Sequence, residues 1–143
     1  TRRSSDYVTL YSPLQMAADL PEIYEKRMDV FQFIKDVPVD WQATRVLNAE
    51  VGDYVSIARK DKFSQNWFIG SITDEKARKF EFMLDFLDEG VVYEASLYED
   101  GENAHWQNNP YPVKISKRKI KKGDVLTVNL AEGGGTAISL IKQ

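Results

Sequence analysis

NWFIGSITDEKARKFEFMLDFLDEGVVYEASLYEDG, residues 66–101, decides the fold. Three runs within it are rich in β-branched and aromatic residues and read as strands: 67–73, 78–84 and 91–99. In the first, Trp67, Ile69 and Ser71 alternate with Phe68, Gly70 and Ile72. In the second, Phe80, Phe82 and Leu84 alternate with Lys79, Glu81 and Met83. In the third, Val91, Tyr93, Ala95 and Leu97 alternate with Val92, Glu94, Ser96 and Tyr98. A period of two sends successive side chains to opposite faces, so one row of large side chains lines one face of a sheet. Burying that row stabilises by roughly 1.5–3 kcal/mol per large side chain, which makes the sheet the expected core. Nothing in the stretch names a chemistry.

Working outward, further strands are expected at 44–47, 54–59, 113–120, 125–130 and 136–141. Turn signals punctuate them: Val51-Gly52-Asp53, Asp88-Glu89-Gly90, Asp100-Gly101, Lys122-Gly123-Asp124 and Gly133-Gly134-Gly135. About eight short strands with such turns predict a mainly β fold, an antiparallel β-sandwich. The last two are expected to form a hairpin, with Leu126, Val128 and Leu130 facing Ile138 and Leu140. There is no internal repeat and no low-complexity segment.

The first forty residues read differently. Residues 1–6 are polar and expected to fray. YVTLY, residues 7–11, reads equally as a strand or as an early helix. Apolar residues then recur at three- and four-residue steps through Leu10, Leu14, Ala17 or Ala18, and Ile23 or Tyr24. Ser12 as cap, Pro13 at the first helical position and Gln15 reaching back predict a helix over 13–20. FQFIKDVPVDW, residues 31–41, is a second helical or irregular piece, and Pro38 ends any helix near Asp36 or Val37. A boundary is expected there: helical before, strand after.

Composition sets bounds. A chain of 143 residues with 43% hydrophobic and 12% aromatic content can build one sizeable core. A net charge of −3 does not describe a general polyanion binder. The absence of cysteine removes thiolate metal sites, cysteine nucleophiles and disulfides. No run approaches the ~18 apolar residues of a membrane span, and no secretory signal is present. The chain begins at Thr1, which fits a piece of a longer protein.

Candidate sites are few. The only histidine, His105, cannot build a multi-histidine zinc site and reads as a loop residue packing locally. No serine sits in a G-x-S-x-G context. The carboxylates, among them Asp36, Asp40, Asp53, Asp74, Asp85 and Asp100, fall at turns, and no spacing pairs two of them as glycoside hydrolysis needs. No calcium loop is present. Gly133-Gly134-Gly135 lacks the G-x-x-x-x-G-K-S/T spacing and reads as a tight turn needing positive φ. KISKRKIKK, residues 114–122, could meet nucleic acid but reads as an edge strand guarded by lysine. Of Trp41, Trp67 and Trp106, Trp67 lies in a core pattern. Trp106 lies among amides, and Trp106, Tyr111 and Asn108 form the one weak substrate-binding set, with chemistry suited to carbohydrate.

Several motifs, kept in order, resemble the C-terminal part of family 97 glycoside hydrolases. They are YSPLQMAADLPEIY at 11–24, FIKDVPVDWQATRVL at 33–47, GDYVSIAR at 52–59, NWFIGSITD at 66–74, LDF at 84–86, VYEASLYED at 92–100 and AEGGGTA at 131–137. The combination of SPLQMAADLPE, DVPVDW and WFIGSIT is specific, and the likeness covers the chain from about residue 7 onward.

The resemblance implies a parent with an N-terminal β-sandwich, a central (β/α)8 barrel and a small C-terminal β-domain. Residues 1–42 would be the last helical segment of the barrel and 43–143 the C-terminal sandwich. The parent would be an exported bacterial enzyme, periplasmic or extracellular, hydrolysing α-glucosides or α-galactosides, with calcium in its barrel. Its catalytic and calcium-binding residues would precede this region. The chain itself would then hold no catalytic residue, no metal and no cofactor. Its partners would be the upstream barrel and further copies of itself, with no nucleic acid and no membrane span. Leu10, Leu14, Phe31, Phe33 and Ile34 should repack on the sandwich or find another chain. The rival is a carbohydrate-binding module acting through Trp106 and Tyr111, with Asn108 and Asn109 as hydrogen-bond partners.

Overall fold

The computed structural model describes residues 2–10, 12–17 and 19–143, with only the backbone of Arg2 and Arg3. Three helices come first: α1 (Arg2–Thr9), α2 (Pro21–Glu25) and α3 (Met28–Asp36). Eight strands follow: β1 (Trp41–Glu50), β2 (Tyr54–Asp61), β3 (Trp67–Thr73), β4 (Arg78–Met83), β5 (Val92–Asp100), β6 (Val113–Lys121), β7 (Val125–Leu130) and β8 (Gly135–Lys142). They form a six-stranded sheet in the order β1-β2-β3-β8-β5-β6 and a two-stranded sheet of β4 and β7, antiparallel throughout. No helix among the described residues is long and apolar enough to cross a membrane.

The alternation read from the sequence sets the inner core. Trp67 and Ile69, Phe80, Phe82 and Leu84, and Tyr93, Ala95 and Leu97 all face one cluster between the two sheets. Trp67 packs on Phe86 with ring centroids 4.7 Å apart. The three strands of the opening stretch do not pair with one another, however. β8 lies between β3 and β5, and β4 leaves for the second sheet to pair with β7. The expected hairpin of the last two strands is likewise corrected. Leu126, Val128 and Leu130 do share the core with Ile138 and Leu140, but from the opposite sheet. The Gly133 turn (φ 63°) carries the chain between layers instead of closing a hairpin.

The far face of the six-stranded sheet is also apolar. Phe68, Tyr98 and Ala137 point away from the inner core and are buried beneath Val8, Phe33 and Val37. Phe33 meets Tyr98 and Phe68 edge-on at 5.3 and 6.2 Å, and Trp41 meets Phe68 at 5.9 Å. Helix α3 stops where Pro38 requires, with Val37 extended at its end.

The N-terminal expectations need correction. The described part of 1–6 is not frayed: it belongs to α1, where Ser4, Ser5 and Val8 are buried. Gly70 and Ala137 are register partners and give α1 a smooth floor. A Cβ on Gly70 would lie 2.7 Å from the Ser5 carbonyl oxygen and 2.8 Å from Val8 Cβ. YVTLY resolves as helix through Thr9, and Tyr11 lies outside the described residues. No helix forms among the described residues of 13–20; Ala18 lies outside them. Ser12 instead makes a local turn, its Oγ accepting from the Leu14 amide at 3.2 Å while Gln15 Nε2 donates to the Ser12 carbonyl at 2.8 Å. Helix nucleation is costly, and Leu14 and Met16 are 79% and 80% exposed, so no buried face supports one here. The proline-led helix is α2, with Pro21 in its first turn.

Gly70→Ala should lift α1 while leaving the sandwich folded. The expected cost is roughly 1–3 kcal/mol in urea unfolding. Faster amide hydrogen exchange should be confined to residues 2–9, and unchanged exchange there would refute the close approach.

Candidate functional site

The long β5–β6 loop, residues 101–112, and the turns at 51–53, 74–77 and 131–134 gather at one end of the sandwich, as the register requires. Two electrostatic anchors organise this end. Arg78, at the start of β4, donates to Asp74 and Thr73, and to Asp53 Oδ2 at 3.1 Å. Its guanidinium lies 4.9 Å from the Tyr54 ring centroid. The arginine thus ties the second sheet to two turns of the first. The hydrogen bonds from Arg78, then from the Lys76 amide, hold the Asp74 carboxyl down at about 2. Arg78 is held above its usual value in return.

The second anchor is Asp100, at the end of β5. Its Oδ2 accepts from the amides of Ala131 at 3.0 Å and Gly135 at 3.1 Å. It lies so close to Gly134 that no side chain could stand there. The Gly133 amide donates to the Asp74 carbonyl at 2.7 Å, which joins the two anchors.

The 101–112 loop is braced at its base by the Gly101 amide donating to Pro112 O at 2.9 Å. At its tip, His105 and Asn109 exchange backbone hydrogen bonds of 2.9 and 3.0 Å. Asn103 takes φ 58°, which asparagine tolerates, and Asn109 Nδ2 donates to its carbonyl at 3.0 Å. His105 Nδ1 accepts from the amides of Gln107 and Asn108 at 3.1 and 3.3 Å. That assignment puts the proton of a neutral ring on Nε2, which stands 3.2 Å from Glu132 Oε2. The imidazole is therefore a brace, and it stacks on the Trp106 ring at 6.0 Å and 21°. A Cβ on Gly133 would come within 2.9 Å of Trp106 Cβ, so the glycine provides the seat of the indole.

Trp106 is 57% and Tyr111 77% exposed, and Asn108 is exposed beside them. The structure places all three on the same loop. Trp67 is buried in the core and Trp41 packs on Phe68, so neither is a surface platform. Sequence reasoning missed Arg78, Asp53, Asp74 and Asp100 as a scaffold. For the three aspartates the one signal was an acid in or beside a turn, which turns supply everywhere; nothing in the sequence marked Arg78.

Among the described residues, no three of His, Asp and Glu gather to hold a metal ion. Two carboxylates converge, those of Asp53 and Asp74, but on a guanidinium. The arrangement can hold turns and present an aromatic face; it shows no nucleophile–base pair.

Residues 40–141 match the family model described as glycosyl-hydrolase 97 C-terminal, oligomerisation. The chain belongs to that family. Among curated proteins, this C-terminal domain is 36% identical over 139 residues to the retaining alpha-galactosidase of Bacteroides thetaiotaomicron, covering 97% of this chain and 20% of that protein. Among solved structures, it is similar to a glycoside hydrolase family 97 enzyme from Pseudoalteromonas sp. strain K8 in complex with panose. Identity there is 48% and TM-score 0.96, covering 99% of this chain and 22% of that one. The same enzyme in complex with acarbose gives the same values. The chain thus spans about a fifth of the length of these relatives. Of the motifs that carried the resemblance in sequence, those at 52–59, 66–74, 84–86, 92–100 and 131–137 lie within the matched residues.

Asp74 should give this end of the sandwich its acid sensitivity. Its folded value, about 2, lies below its ordinary 3.8, so its stabilising contribution is complete above about pH 4 and is lost as pH falls toward about 2. Asp74→Asn should therefore be less stable than the parent chain at neutral pH, with the gap closing across that window. A gap independent of pH, measured by urea unfolding, would show that Arg78 does not hold the carboxylate.

Proposed function

We propose that the chain is the non-catalytic C-terminal part of a glycoside hydrolase that acts on α-glucosides or α-galactosides, and that its role is architectural and oligomeric. Residues 1–42 are read as the end of the enzyme's (β/α)8 barrel and 43–143 as its C-terminal sandwich. The supporting observation is the strap between α1 and α2. Leu10 (55%), Leu14 (79%), Met16 (80%) and Leu20 (66%) stand exposed on a segment with little regular structure. Nothing in the sandwich covers them, whereas Phe33, also expected to need a partner, is buried on the sheet. A run of apolar side chains laid on the surface in this way marks an interface. The family description, oligomerisation, supports the same reading.

The substrate class rests on the relatives: one is named a retaining alpha-galactosidase, and the other was solved with panose and with acarbose. Catalysis and calcium are assigned to the barrel. The converging carboxylates of this chain, neutralised by Arg78, do not suit a cation. Location in the periplasm or outside the cell is inferred from the family resemblance alone.

Sedimentation velocity tests the oligomeric part. The chain should associate as concentration rises, and a Leu14→Asp, Met16→Asp double variant should shift the equilibrium at least tenfold toward monomer. A monomeric parent chain at high concentration would sink the reading. On a rigorously purified sample, turnover of a chromogenic α-glucoside or α-galactoside would sink the non-catalytic part.

A further inference from the structure

We propose that Trp106 is a carbohydrate platform, independent of the strap, which takes the apolar face of a pyranose ring with the amides of Gln107 and Asn108 as its polar rim. The Trp106 indole is 57% exposed, yet it is held from two sides. This indole is not left exposed by a slack loop. Its Cβ–Cδ1 edge rests on Gly133, where any Cβ would collide with it. One ring face is backed by His105, itself fixed through Nδ1 by two backbone amides and placed at Nε2 against Glu132. The turn that carries Gly133 and Glu132 is in turn held by Asp100. Two loops, from different parts of the chain, are built against each other and leave the indole 57% exposed.

The surroundings favour a hydroxyl-rich ligand over a protein. Gln107 and Asn108 are exposed, and their side-chain amides can each donate and accept, as vicinal hydroxyls require. A protein interface would need an apolar core around the aromatic anchor. Here the exposed residues of the two loops are mostly amide and carboxylate, Glu102, Asn103, Gln107, Asn108 and Glu132, with Pro110 and Tyr111 the apolar exceptions. A preorganised aromatic face with polar groups at its edge is a small-ligand design, because the ordering cost is met in the free protein.

The choice of α-linked probes rests on the substrate class proposed above; the platform itself does not. Isothermal titration calorimetry of the chain with maltotriose and with melibiose should give saturable binding to at least one, with Kd on the order of millimolar. Trp106→Ala should weaken it roughly tenfold or more, and Asn108→Ala by a smaller factor. Should Trp106→Ala fail to fold, the parent chain decides by NMR: sugar must shift the indole N–H resonance of Trp106 and spare that of buried Trp67. No saturable binding, or undiminished affinity in a folded Trp106→Ala variant, overturns the proposal. So does a Trp106→Ala variant that changes the sedimentation behaviour while sugar binds nowhere, because the indole would then be a subunit contact. The strap variant and the indole variant report on different surfaces, so either reading can fail alone.

Discussion

A sheet with large side chains on both faces has to be covered twice. That constraint governs this domain. On the inner face, Trp67, Ile69, Tyr93, Leu97, Ile138 and Leu140 are covered by β4, β7 and the 84–87 segment. On the outer face, Phe68, Tyr98 and Ala137 are covered by α1 and α3. The two covers use different physics. The inner one is interdigitation of large residues, each contributing roughly 1.5–3 kcal/mol. The outer one is a close approach over Gly70 and Ala137 on one side and an aromatic cluster around Phe33 on the other. Helices α1 and α3 are therefore part of the packed unit.

This double burial explains what was legible in the sequence. Strand positions were, because period-two alternation is a local signal: Trp67–Thr73 and Val125–Leu130 stand where the pattern puts them. Pairing was not. The alternation of Phe80 and Phe82 says which way they face but not which strand lies beside them, and a two-stranded lid facing a six-stranded sheet looks identical from within β4. The helix expected at 13–20 failed for a related reason. Ser12, Pro13 and Gln15 are a sound start signal, but a cap cannot sustain a helix whose apolar residues find no surface. Conversely, α1 carries only one fully apolar buried residue, Val8, and succeeds because small Ser4 and Ser5 let it sit on Gly70.

The loop end shows the same division. Exposure of Trp106 could be read from its polar neighbours, and the turn at Gly133 from its glycines. What holds the indole could not, because Asp100, Glu132 and Gly133 reach it from distant parts of the sequence. Carboxylates that look like ordinary turn acids become scaffold only once β8 is inserted between β3 and β5. That single non-local pairing brings the 74–77 and 131–134 turns together, and with them the Asp74 and Asp100 anchors.

The edges of the sheet narrow where the domain can associate. Strand β6 closes one edge with Lys114, Lys117, Arg118, Lys119 and Lys121, a charge density that discourages addition of another strand. Strand β1 closes the other with two register irregularities, between Trp41 and Ala43 and between Val46 and Asn48. Such bulges twist an edge away from in-register pairing. With both edges guarded and both faces covered, the six-stranded sheet offers little to a second chain. Exposed apolar side chains remain on the strap, at Leu10, Leu14, Met16 and Leu20, and singly elsewhere, at Val46, Phe63 and Met83 among others. Association through the strap, as proposed above, would join domains by side-chain packing without continuing a sheet.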